Sequence, residues 1–291
     1  MATWNADEPA VGNQITVDIA SIEENFQELH DVITAITNGT LGTTTASDFR
    51  IDAGSTPLIW LKDSRARFEW KDADEIYIHA GAYHHVGTVS QIVYWNSKLT
   101  SDIGSPDASD WYYLYLDDSA IVTAGTNLLT TSELLWSNTE PAWSETKHGW
   151  YNGEDRAIFA VLTDGSSNIL EFVHDGGDEC QFATDIASLA ATATSTTWTD
   201  ATLKAPKFAT KVGVTFVIVY VDGNSVFYWR TNGQTDTTGK RIAFTALGTN
   251  YSSSAVITDS SQIIEVHYSG AGGLSDTIAV YTYAWYFPAG M

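Results

Sequence analysis

Cysteine is nearly missing from this chain of 291 residues: Cys180 stands alone. That excludes a disulfide framework and a thiolate metal site built within one chain, and leaves a buried structural thiol as the reading of Cys180. Positive charge is scarce as well, with 14 Lys and Arg against 36 Asp and Glu and a formal net charge of −22. Such a balance repels phosphate backbones, whose binding depends on Lys and Arg clusters that release counterions. Nucleic acid is therefore not an expected partner, and neither is an anionic membrane surface. No apolar run reaches the roughly 18 residues needed to span a bilayer, so membrane insertion is not expected either. The opening residues MATWNADEPAVGNQ lack the basic and apolar regions of a secretory signal, and export by that route is not expected. Catalytic motifs are wanting too. There is no G-x-S-x-G elbow, no H-E-x-x-H and no glycine-rich phosphate cradle, and nothing in the sequence pairs acids such as Asp117, Asp118, Glu154 and Asp155. The expectation is a protein that is not an enzyme and has no cofactor and no resident metal.

What is present begins near the start. Ile15, Ile19, Ile22, Phe26, Leu29, Ile33 and Ile36 follow one another at alternating spacings of four and three. A strict seven-residue pattern keeps one narrow seam facing a partner only if the helices supercoil. Ile19 and Ile33 fall at a, and Ile15, Ile22 and Ile36 at d; β-branched residues in both layers shift preference from dimers to trimers or tetramers. Three strands are expected. Asp18 suits the N-cap, and Asn38-Gly39 supplies a left-handed stop. Only three heptads are present, so an amphipathic helix lying on the following domain is the competing reading.

Beyond a Thr-rich link at 40–46 the period changes to two. Arg67–Trp70, Glu75–His79, Trp111–Leu116, Arg156–Leu162 and Asn168–Val173 read as short antiparallel strands, with Thr163-Asp164-Gly165-Ser166 as a turn. A second group follows Cys180: Val212–Val221, Ser225–Arg230, Arg241–Phe244, Gln262–Tyr268 and Thr277–Phe287, with Asp222-Gly223-Asn224 as a turn. Val212–Val221 and Ile278–Phe287 are apolar on both faces. They require cover either from a second sheet plus a neighbouring subunit or from overlying loops. The small-residue stretch Ala187–Thr197 is read as a boundary, a loop or a short helix. The expected organisation is an attachment leader at 1–14, a heptad helix at 15–39, a β domain at 40–185 and a C-terminal β-sandwich at 186–291. The fold class is mainly β: a short trimeric coiled coil followed by antiparallel sandwich or jelly-roll-like domains.

Few side chains nominate themselves for chemistry. His79, His84 and His85 form the densest imidazole group, without a recognised ligand spacing. The loop His174–Glu179 offers oxygen atoms but lacks the alternation of a calcium loop, and reads as a solvated turn. Aromatic side chains are abundant, with 11 Trp, 14 Tyr and 11 Phe. Trp136, Trp143, Trp150 and Tyr151 are candidate contacts for a glycan or receptor, because such rings stack on sugars. A buried core or a subunit interface uses the same residues.

Taken together, the short leader with Trp4 and Pro9, the heptad helix ending at Asn38-Gly39, WYYLYLDD at Trp111–Asp118 and GEDRAIFAVLTDGSSNILEF at Gly153–Phe172 resemble virion proteins of tailed bacteriophages. The fibre, spike and head-decoration classes fit best. The resemblance implies a homotrimer carried on the particle, docked to other virion proteins through its N-terminus and meeting a host surface glycan or receptor with its β domains. A monomeric carbohydrate-binding module is the alternative, and a polysaccharide-degrading enzyme a weaker one.

Overall fold

The computed structural model describes residues 65–193, 196–221, 226–235, 239–242, 247–269 and 276–291. The expected leader and heptad helix, Ile15 to Ile36 included, lie outside the described residues. What is described is mainly β, with antiparallel sheets and one α-helix.

Three sheets come from the first half. Strands β1 (Phe68–Trp70), β2 (Glu75–Ile78) and β5 (Leu99–Asp102) lie in the order β1-β2-β5. Between them β3 (Gly81–Val86) and β4 (Ser90–Trp95) pair as a hairpin. The third sheet runs β7-β6-β10-β9-β8, built from β6 (Trp111–Leu116), β7 (Leu134–Ser137), β8 (Ala142–Ser144), β9 (Gly149–Asn152) and β10 (Asp155–Leu162). Helix α1 (Asp118–Ala124) follows β6. The Asp117 side chain caps it by accepting from the Ala120 N–H, and Gly125 ends it in the left-handed region at φ 62°.

Two sheets come from the second half. One runs β11-β12-β19-β14-β17, from β11 (Phe172–His174), β12 (Glu179–Ala193), β14 (Lys211–Tyr220), β17 (Gly248–Ile257) and β19 (Thr277–Tyr286). The other runs β13-β18-β15-β16, from β13 (Thr199–Thr202), β15 (Val226–Thr231), β16 (Lys240–Arg241) and β18 (Ile263–Ser269). Alternate residues of β14 (Val212, Val214, Phe216, Ile218) are buried, as are Phe227 and Trp229 of β15 and Ile264 and Val266 of β18. Tyr220 meets Phe227 edge-on at 6.2 Å between ring centres, so the two sheets put their apolar sides into one sandwich-like core.

That core is continuous with the core of the first half. Phe159 of β10 stacks on Phe68 of β1 at 4.0 Å and lies 5.1 Å from Phe172, 5.7 Å from Trp285 and 5.9 Å from Phe287. Arg65 adds a polar tie: its guanidinium pairs with Asp178 at 2.7 Å, donates to the Met291 carbonyl and lies over the Phe287 ring. Arg156, from β10, donates to the carbonyls of His84 and Gly290.

Several expected strands are found close to their predicted limits, among them β1, β2, β6, β10, β14, β15, β18 and β19. Two expectations need correction. Ala187–Thr197 is neither loop nor short helix up to Ala193: it belongs to the fifteen-residue β12, because the long partner β19 supplies a hydrogen-bonding edge along it. The division set at 185/186 therefore falls inside a strand. Within Asn168–Val173 only Phe172 and Val173 are in a strand, and Ile169 makes a single bridge to Thr163. The cause is the Asp164 carboxylate, which accepts from the N–H groups of Ser166 and Asn168 and holds the chain in a turn.

Candidate functional site

Of the four aromatic candidates, the sheet order separates one from the rest. Trp136 is on β7 and Trp143 on β8, the two opposite edges of the same five-stranded sheet. Trp136 donates its indole N–H to Ser101 Oγ at 2.9 Å. Trp143 and Trp150 face each other across β8 and β9 and pack edge-on at 5.9 Å. Tyr151 points to the other side of β9, where it is 4% exposed and its hydroxyl accepts from the Val86 N–H. Burial raises its pKa. Trp143, at 37%, is thus the exposed member of the group. It lies against Gly290, at φ 83°, where an added Cβ would come within 2.7 Å of the indole and 2.8 Å of the His148 carbonyl. Only glycine permits that approach.

The three clustered histidines diverge. His79 is partly exposed, 2.6 Å from Glu69 and in contact with Arg67, while His84 lies 3.1 Å from Ser90 Oγ. His85 is fully buried. Its Nε2 is 2.9 Å from Asp118 Oδ1, and Asp118 also accepts from the Thr88 N–H at 2.9 Å and the Thr88 hydroxyl at 2.6 Å. The Asp118 N–H in turn donates to Asp155 at 2.9 Å. Burial pushes the His85 pKa down. Burial also works to raise that of Asp118, yet the hydrogen bonds from Thr88 and His85 hold it below the ordinary carboxylate value. Asp155, partly buried and beside Asp117 and Asp118, is shifted upward, chiefly by desolvation. This His–Asp pair resembles part of a catalytic relay, but a ring sealed from solvent meets no substrate, and Thr88 is itself held by Asp118. Its work is to pin the β3–β4 turn to the start of α1.

The His174–Glu179 loop is likewise a structural turn. His174 is buried with Nδ1 accepting from Phe68 N–H and Nε2 donating to the Gly177 carbonyl, and Asp175 accepts from Gly177 N–H. Among the described residues no three His, Cys, Asp or Glu side chains converge as a metal site, and no helix is long and apolar enough to cross a membrane. Cys180 is buried and its pKa stands well above the usual thiol value because of that burial.

The broadest unusual surface is the side of the β12-β19-β14-β17 sheet turned away from the core. Register places Tyr251, Val217 and Ala279 in one row across it, and Ser253, Thr215 and Tyr281 in the next. Thr215 and Ser253 are within hydrogen-bond distance at 3.3 Å, which confirms that both point to this side. Gly213 leaves room for the Tyr283 ring, which would stand 2.6 Å from any Cβ there. Tyr251 is 72% exposed and Ile257 49%. The three ten-residue strands β14, β17 and β19 contain one charged residue, Lys211, in a chain that is 17% charged. The doubly apolar strands predicted from sequence are thus the central pair β14 and β19, covered on one side by the core and half-exposed on the other.

Neither a protein-family model nor a curated protein matches this chain.

Proposed function

We propose that the chain is a structural protein of a tailed-bacteriophage particle, a homotrimeric fibre, spike or decoration knob. In this reading 1–14 docks to the particle, the 15–39 seam joins three copies, and the β portion faces outward toward the host. The observation that carries it is the strand order of the second half. Taken in sequence, β12 to β19 alternate between the sheets β12-β19-β14-β17 and β13-β18-β15-β16, with only β15 and β16 consecutive in one of them. That is the order of a jelly roll, an architecture of viral capsid and lectin domains. Fold analogy supports a class of role, not a specific ligand. The trimer rests on the isoleucine-filled heptads. Light scattering on the full chain tests it: three chains of 31.7 kDa give 95.1 kDa, and a 31.7 kDa species at all concentrations would sink the trimer. Mass spectrometry of purified particles tests the location, and absence of the chain from them would refute it.

A second reading has one observation in its favour. Trp143, exposed and rigidly seated over Gly290, offers a flat ring to a sugar. A glycan array hit abolished by Trp143→Ala would establish a carbohydrate-binding role, and a blank array would dismiss it.

A further inference from the structure

We infer that the outer side of the β19-β14-β17 sheet is the surface on which copies of this chain meet below the heptad seam. The inference rests on the trimer reading and names the second contact in it. Three features point to another copy as the occupant. First, a chain of net charge −22 repels its own copies, and association is least opposed where acids are missing. The strands β14, β17 and β19 carry no acid at any position. Second, the side chains there include those enriched in protein contacts: Tyr251 beside Val217, Tyr281 beside Thr215 and Tyr283 over Gly213. Third, the one charge in these strands is positive: Lys211 on β14 lies over the Tyr286 ring at 4.2 Å, and a cation on a chain of net charge −22 attracts another copy rather than repelling it.

The edge strand agrees. β17 is ten residues long, pairs with β14 through ten uninterrupted partners and carries no Lys, Pro or bulge. Natural sheets guard open edges with those devices, and their absence fits an edge covered in the assembly.

The test uses the full chain and four proteins: wild type, Ile22→Asp, Val217→Glu and Tyr251→Arg. Tyr251 is 72% exposed, so that change leaves the core intact even where Val217→Glu disturbs folding. Sedimentation velocity across a concentration series reads the assembly, with circular dichroism as the folding control. Tyr251→Arg, and Val217→Glu if folded, are expected to raise the dissociation constant roughly tenfold or more, the scale of a charge buried without a partner. Ile22→Asp is expected to retain weaker, concentration-dependent association through this side. A wild-type trimer unaltered by Tyr251→Arg overturns the inference and leaves the trimer standing. A wild-type monomer at every concentration overturns both.

Discussion

Replacing Phe159 with alanine removes the ring on which the two halves of the β structure converge. Phe159 is fully buried, stacks on Phe68 at 4.0 Å, and is flanked by Phe172, Trp285 and Phe287, which belong to or follow strands of the second half. Truncating a buried Phe costs about 3–5 kcal/mol, the sum of lost transfer energy and the cavity left behind. This site belongs at the upper end, because its neighbours are rings anchored on several strands and collapse poorly into the space. In a cooperative unit of roughly 150–250 residues each kcal/mol moves the midpoint by about 2–4 °C, so the expected fall is about 6–20 °C. Differential scanning calorimetry is the assay. One transition is expected for the β portion, displaced as a whole, because the core is continuous from β1 to Phe287. Two resolved transitions of which only one moves would refute the shared core and show that the halves fold separately.

Stability is expected to fall as pH drops below the ordinary histidine value of 6.5. His85, His174 and His267 are all held below it mainly by burial, so the unfolded chain binds protons first; stability is full above 6.5 and declines until the folded histidines protonate. Asp155 opposes this at lower pH, since its raised pKa makes protonation favourable in the fold. A melting temperature at pH 5.5 equal to that at pH 7.5 would contradict the argument, and His174→Gln should reduce the fall. Asp118→Ala strands the fully buried His85 ring, at about 1–3 kcal/mol for the orphaned group, while the exposed Thr88 can turn to water; urea unfolding should show the loss. Asp118→Asn, which keeps an acceptor, should lose less. Cys180, 1% exposed, should react with a thiol reagent only after denaturation; rapid labelling of the folded chain would mean that the β11-β12 region opens.

The seven-residue seam and the acidic, cysteine-poor composition are properties of the sequence by itself, as are the period-two alternation that marks β1, β2 and β15 and the continuous apolar runs of β6 and β10. Each is local, since burial of one side of a strand imposes its own spacing. β12 is different. Its residues ECQFATDIASLAATA show little alternation and weak strand preference, and they are extended because β19 pairs with them through three register shifts. β17, GTNYSSSAVI, is equally silent in sequence and is drawn into the sheet by β14. Trp136 and Trp143 are seven residues apart yet stand at opposite edges, whereas His85 and Asp118, 33 residues apart, are bonded. Only the tertiary structure decided these placements, because the partners that stabilise them are distant along the chain and leave no periodic trace in it.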